Sequence, residues 1–453
     1  MLVLLLGTGC YLMLKLEFIP LKNLKFALEC ALGFHARNEL EDKSEIKNKA
    51  LKGGVSSFSS LTTELAATIG TGNIVGVATA MLLGGPGALL WMMVSALIGM
   101  ATKLVESMLS VKYRSVNDRG EYAGGPMYTM VKAFPNKRLG SILALFFAVF
   151  AIMASLGMGN MTQSNSIAEA MEVTFHIPAA KTGLVVTIIT ILVVLGGIQS
   201  ISKVTQIVVP FMGILYMLGT ILVVVKNWSN IPESILKIVV MAFCPQAMAG
   251  GVAGSITITM LQSLRYGVSR GVFSNEAGLG AAGISAAAAD TDDYIRQGYI
   301  SMTSVFLDTI VLCSVTGLSF IASGVLGMTD ETGELLNGIA LTIAAFETTF
   351  GQWGAYFISI CITLFAFATI VGWAYQGEKA FEFLVGKSRY CIYYRFFYAL
   401  MAFVGAVCSL ELVWEFSDIC NGLMAIPNLI CVLALSGETC KEIKEYHKRR
   451  GRS

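Results

Sequence analysis

Apolar runs long enough to cross a bilayer recur along this chain, and short polar or Gly/Pro-marked stretches separate them. The pattern predicts a short first helix at Met1–Phe18, then a mixed, net-basic segment from Pro20 to Lys52. An interrupted helix follows at Ser57–Leu83, a turn at Gly84–Gly87, and a long helix through Val111. A basic loop at Lys112–Arg138 leads into Leu139–Met171, Thr182–Leu195 and Ile207–Val225. Beyond an ambiguous stretch at Asn230–Ala289, helices are expected at Gly298–Gly324, Ile339–Phe350 with Ala355–Tyr375, Tyr393–Leu410 and Ile419–Leu435. The total is about eleven spans of an all-α polytopic membrane protein.

The stretch Thr68-Ile69-Gly70-Thr71-Gly72-Asn73 breaks its apolar surroundings with glycines, hydroxyls and an amide. Glycine weakens a helix, and unsatisfied backbone in hydrocarbon costs several kcal/mol. Such a break persists only where it faces protein or a water-filled cavity. There, one half-helix offers N–H groups to an anion while unwound carbonyls accept a cation. A second glycine-rich stretch, Asn275-Glu276-Ala277-Gly278-Leu279-Gly280, loosely echoes it. No strand precedes either, which removes a dinucleotide-binding loop. The second broken helix is expected at Ser269–Asp290, unwound near Phe273–Gly278. The alternative is Ile235–Met260, unwound at Pro245–Gly251.

Composition agrees: 453 residues, 55% hydrophobic and 14% charged. A net charge of +2 points to no nucleic acid or other charged partner. Ten cysteines without metal spacing read as small buried hydrophobes, and His35, His176 and His447 suggest no histidine-based site. Met1–Leu6 lacks the basic lead and cleavage site of a signal peptide. Of the 32 Lys and Arg, 26 fall in segments placed on one side, whereas Asp330, Glu331, Glu334, Glu411, Glu415 and Asp418 cluster on the other. The positive-inside bias then puts the N-terminus outside and the C-terminus in the cytoplasm. Lys103 and Glu106, both intramembrane, are spaced for an i,i+3 pair. Asp308 is an intramembrane carboxylate that binds a cation, carries a proton or pairs with Lys103. Glu276 is of the same kind, and Glu64 is expected near the cytoplasmic edge.

Several motifs together resemble the alanine or glycine:cation symporter family, within the amino acid–polyamine–cation superfamily. They are Thr68–Thr79, Gly84–Met93 with Lys103 and Glu106, Gly125–Tyr128, Gly159–Asn165, Arg270–Gly280 and Phe367–Lys379. Family members usually have further residues before the Leu5–Gly9 segment, so either a truncated start or a misassigned start codon is expected. The resemblance implies a leucine-transporter-type fold of five-plus-five inverted repeats with two broken helices. Residues 1–18 would be an extra helix, 57–225 the first repeat, 256–435 the second and 436–453 a basic tail. It also implies plasma-membrane import of alanine or glycine driven by sodium, with proton coupling or another small neutral amino acid as the alternative.

On that resemblance, Thr71, Gly72 and Gln163 would bind the amino acid, with Phe273 and Trp373 as its apolar wall. Ala66, Ile69, Ala366 and Thr369 would hold sodium, a hard cation that prefers oxygen. Ile370 stands where such sites often carry a second hydroxyl. Asn73 either joins the cation ligands or holds the break open. No cofactor beyond sodium and no obligatory protein partner is expected. An enzyme would need a nucleophile–base pair or metal cluster, and no convincing set is present. An ion channel would pass ions without saturation or coupling.

Overall fold

Polar caps and glycine breaks divide the chain into helices. The computed structural model describes residues 1–34, 54–243, 246–251 and 254–450. Much of the mixed segment expected at Pro20–Lys52 therefore lies outside the described residues. In order come α1 (Leu2–Lys15), α2 (Ile19–Lys22), α3 (Leu24–Ala31), α4 (Ser57–Thr68), α5 (Val75–Gly84) and α6 (Gly87–Lys112). After a two-stranded hairpin of Ser115–Val116 and Tyr122–Ala123 follow α7 (Pro126–Ala133), α8 (Lys137–Leu156), α9 (Thr162–Phe175), α10 (Ala179–Val194), α11 (Gly197–Lys226) and α12 (Ile231–Phe243). The rest of the chain forms α13 (Met260–Asn275), α14 (Ala281–Ala286), α15 (Tyr294–Val305), α16 (Ser314–Ala322), α17 (Gly338–Phe350), α18 (Gln352–Val385), α19 (Cys391–Val407) and α20 (Leu410–Arg450).

Local chemistry sets many of these boundaries. Ser56 caps α4 by accepting from Ser59 N, and Asn136 and Asp293 do the same for α8 and α15. Thr259 and Gln262 form a reciprocal capping box that starts α13. Gly125 turns with φ +130° into Pro126 at the head of α7, so the turn expected there also opens a helix.

Among the described residues, seven helical segments are long and apolar enough to cross a membrane; α1, α5, α10 and α17 are shorter apolar helices. Along α11, Ile207, Phe211, Ile214, Leu218, Leu222 and Val225 are all exposed at steps of three and four. A soluble protein does not leave such a stripe in water; here it is a lipid-facing surface.

The second break lies in the glycine-rich stretch, but its helix starts at Met260 rather than Ser269 and unwinds at Glu276–Gly280. In the alternative region Gln246–Gly251 pairs antiparallel with Gly254–Thr259, while residues 244–245 lie outside the described residues. The stretch expected as a basic tail continues α20 as helix to Arg450. The C-terminal end of α20 is tied by Lys112 to Glu438 and Glu442 (2.6 Å each), Lys444 to Glu17 (2.5 Å), Tyr446 to Asp293 (3.2 Å) and Tyr299 to His447 (2.5 Å).

Two helices carry the site. The second broken helix, α13 and α14, packs on α6, while α4 packs on α18. Two π-turns interrupt otherwise regular helix, Gly157–Met161 between α8 and α9 and Phe306–Cys313 between α15 and α16. Both stand beside the breaks.

Candidate functional site

The first break is built from its own backbone outward. Helix α4 ends at Thr68; Ile69 and Gly70 are extended, and Thr71–Asn73 make one 3₁₀ turn before α5. Asn73 Oδ1 accepts from Gly70 N at 3.0 Å, capping the turn that its own residue closes. A side chain on Gly70 would place Cβ 2.4 Å from Thr369 Oγ1 and 3.1 Å from Gln163 Oε1, so only glycine fits. Gly72 is similarly close to Phe273 and Ser274, each about 3.2 Å from an added Cβ.

Thr71 donates both its backbone N–H and its hydroxyl to Gln163 Oε1, at 3.1 and 3.0 Å. Gln163 in turn donates Nε2 to Met158 O, a carbonyl of the first π-turn. The slipped hydrogen-bond register of a π-turn leaves such a carbonyl free, and these turns recur at functional sites. The donors that sequence reasoning assigns to a carboxylate are thus preassembled and held by one neutral side-chain oxygen.

Thr369 Oγ1 lies 3.0 Å from Ala66 O, 3.3 Å from Ile69 O and 3.2 Å from Phe365 O. A hydroxyl has one proton and cannot satisfy three carbonyls at once. The surplus of buried oxygen is the donor set a hard monovalent cation takes. Ala366 is fully buried one turn before Thr369 on α18. Asn73 reaches away from this group: Nδ2 donates to Asp308 Oδ1 at 2.6 Å and Asp308 O at 3.2 Å, across to the second π-turn. Asp308 Oδ2 accepts from Ser274 Oγ and Thr309 Oγ1, both at 2.7 Å. Asp308 therefore joins the first break to the second, and it does not pair with Lys103.

The two aromatic residues expected to form one wall have different partners. Trp373 is buried, packs on Gly159 and donates Nε1 to Glu276 Oε1 at 2.7 Å. Phe273 stacks on Trp414 with ring centroids 4.8 Å apart, below an Arg270–Asp418 ion pair of 2.6 Å. Phe273 also lines a small cavity with Ser269, Val272, Asp418 and Asn421.

Lys103 corrects the local-pair expectation. Its ammonium is 3.5 Å from Glu64 Oε1 and donates to Asn275 O at 3.0 Å. Glu106 instead takes Asn428 Nδ2 at 2.8 Å and Gly278 N at 3.4 Å. Glu64 is fully buried between these helices. Sequence reasoning missed Ser274, Asn428 and Trp414 as partners. For Asn428 a signal existed, an amide in an apolar run.

Comparisons with known proteins give the family and the fold. The sodium:alanine symporter family pattern matches residues 1–453. The sodium/alanine symporter AgcS of Methanococcus maripaludis is 46% identical, covering 99% of this chain and 94% of its own length. The "Probable sodium/glutamine symporter GlnT" of Bacillus subtilis is 33% identical over 99% of this chain and 88% of its own. Among solved structures, MhsT in complex with L-phenylalanine superposes with a TM-score of 0.52 at 12% identity, over 86% of this chain and all of its own. MhsT has the leucine-transporter fold, and so does this chain.

Proposed function

The chain belongs to the sodium:alanine symporter family, a family of multi-pass membrane transporters rather than enzymes, and from that premise we propose that it imports L-alanine or glycine together with sodium. Import proceeds by alternating access around the breaks, with residues 57–225 and 256–435 as inverted repeats in the plasma membrane. The N-terminus lies outside and the C-terminus inside.

In this reading the amino acid's carboxylate displaces Gln163 Oε1 from Thr71 N and Oγ1, and Gly72 lets it approach the backbone. Gln163, freed at one end, turns its carbonyl to the ammonium. Phe273 and Trp373 limit the side chain to hydrogen or methyl. Sodium sits among Ala66 O, Ile69 O, Thr369 Oγ1 and Ala366 O, so binding it fixes the end of α4 against α18. Asn73 and Asp308 hold the break in the geometry that exposes those carbonyls.

One observation carries the proposal. Gln163 Oε1, which holds the two Thr71 donors, and Thr369 Oγ1 of the oxygen-rich group both close on Gly70, within 3.1 Å of the position its Cβ would take. Substrate and cation sites that share one glycine cannot fill independently. That is the structural requirement for symport.

The test is labelled uptake into proteoliposomes under an inward sodium gradient, with an equal potassium gradient as control and pH matched. Sodium-only accumulation of alanine or glycine, with glutamine and branched amino acids poorly competing, is the expected result. Preference for glutamine would overturn the small-pocket assignment. Uptake indifferent to sodium would overturn the coupling.

A further inference from the structure

Among the described residues, five Asp, Glu, Lys or Arg side chains are at most 1% exposed: Glu64, Lys103, Glu106, Glu276 and Asp308. Four carboxylates thus share one ammonium. Taking charges out of water costs several kcal/mol each, so every one needs compensation.

Three of the four have it. Asp308 accepts three hydrogen bonds, from Asn73, Ser274 and Thr309, that cover both oxygens. Glu106 has one donor on each oxygen, Gly278 N and Asn428 Nδ2. Glu64 has Ser304 Oγ at 2.7 Å and the Lys103 ammonium at 3.5 Å, both on Oε1, so its own bare oxygen, Oε2, belongs to a carboxylate that already faces a cation. Glu276 has a single neutral donor, Trp373 Nε1, on Oε1. Its Oε2 is buried with no partner, and no ion pair among the described residues includes it.

Position adds to the chemistry. Glu276 is the first residue of the second break and is held in the left-handed region at φ +59°. That conformation is costly for a residue with a side chain, and it clusters where function demands it. The preceding carbonyl, Asn275 O, is already taken by Lys103. The lysine is therefore spent between Glu64 and Asn275 O, and Glu276 has no ammonium of its own among the described residues.

We infer that Glu276 Oε2 is a ligand of a second monovalent cation, distinct from the one among Ala66, Ile69 and Thr369. This rests on the proposed sodium symport and extends it: the second break carries its own sodium, beside Trp373 on α18. Each alanine then moves with two positive charges. The first cation bridges α18 to the first break through Thr369, and the second sits on Glu276, which the Trp373 hydrogen bond already ties to α18, so occupying both locks the two breaks to one helix.

Two measurements decide it. In proteoliposomes the reversal potential gives the charge moved per alanine. Two charges are expected for the wild type and one for Glu276→Gln; an unchanged ratio in that variant overturns the site. Where Glu276→Gln is too unstable to transport, sodium titration of thermal stability in the purified full chain replaces it, against potassium as control. Thr369→Ala is expected to keep a sodium-dependent rise in Tm that Glu276→Asp weakens. A Thr369→Ala protein with no sodium response overturns the site. If acidification replaces sodium in that titration, Glu276 takes a proton and the second-sodium assignment falls. The titration needs no substrate, so it separates failure of this site from failure of alanine transport, which the wild-type uptake arm reads.

Discussion

The two breaks solve the same problem with opposite materials. The first is neutral: Gly70, Thr71 and Asn73 are satisfied by amides, hydroxyls and carbonyls, with one carboxylate, Asp308, reached only through Asn73. The second is ionic. Asn275 O takes a lysine, Glu276 brings a carboxylate, and Gly278 N donates to Glu106. Neutral groups leave their hydrogen bonds at little cost, because the partners can be exchanged for those of a ligand. Buried charges cannot, because removing one partner strands the other. The first break is therefore suited to exchanging partners with a substrate, and the second to holding an electrostatic framework around it, in which Glu276 Oε2, bound to nothing among the described residues, is the one position at that break open to a cation.

That contrast is broken most severely at Lys103. Lys103→Met leaves Glu64 buried without its ammonium and is expected to cost about 3–5 kcal/mol of stability. Thermal unfolding in detergent measures it, and Glu64→Gln added to the same variant should recover most of the loss. At the neutral break the failure is steric instead. Gly70→Ala drives a methyl into Thr369 and Gln163, and overpacking of about 1–3 kcal/mol at the shared point should lower alanine uptake by on the order of a hundredfold. A folded protein with ordinary uptake would show that the two sites do not share Gly70.

A smaller effect is expected for Thr369→Ala, which removes one oxygen from the cation group. The sodium needed for half-maximal uptake should rise about tenfold, the equivalent of one hydrogen-bond-sized contribution. Alanine binding at saturating sodium should be spared, and a sodium dependence equal to wild type would remove Thr369 from the cation site. Smallest is Arg270→Gln. Its partner Asp418 is 41% exposed, so the pair contributes at most about 1 kcal/mol, read as a slight and salt-sensitive drop in Tm. A large loss would move Arg270 from the periphery of the ionic break into its framework.

The first break was legible because its residues contradict their surroundings: glycine, hydroxyl and amide in hydrocarbon have no other use. Thr369 and Gln163 were legible only through family resemblance, since a threonine three residues after an alanine is common in any membrane helix. The π-turns were not legible. A slipped hydrogen-bond register leaves no mark in composition, and yet Met158 O and Asp308 owe their positions to it. Lys103 misled for a related reason. Sequence spacing offers only the local partner Glu106, while the observed one, Glu64, arrives from another helix by tertiary packing.

Helix α20 has a consequence for observing these states. Pro427 interrupts its hydrogen-bond ladder, and the helix beyond it to Arg450 is about 35 Å long. A hinge rotation of about 5° at the proline would carry the far end about 3 Å. Because that end is fastened to Glu17, Tyr299 and Asp293, rotation there also tugs on α15, the helix that leads into Asp308. The terminal helix is thus a mechanical pointer: a spectroscopic label near its tip magnifies displacements too small to resolve at the midplane.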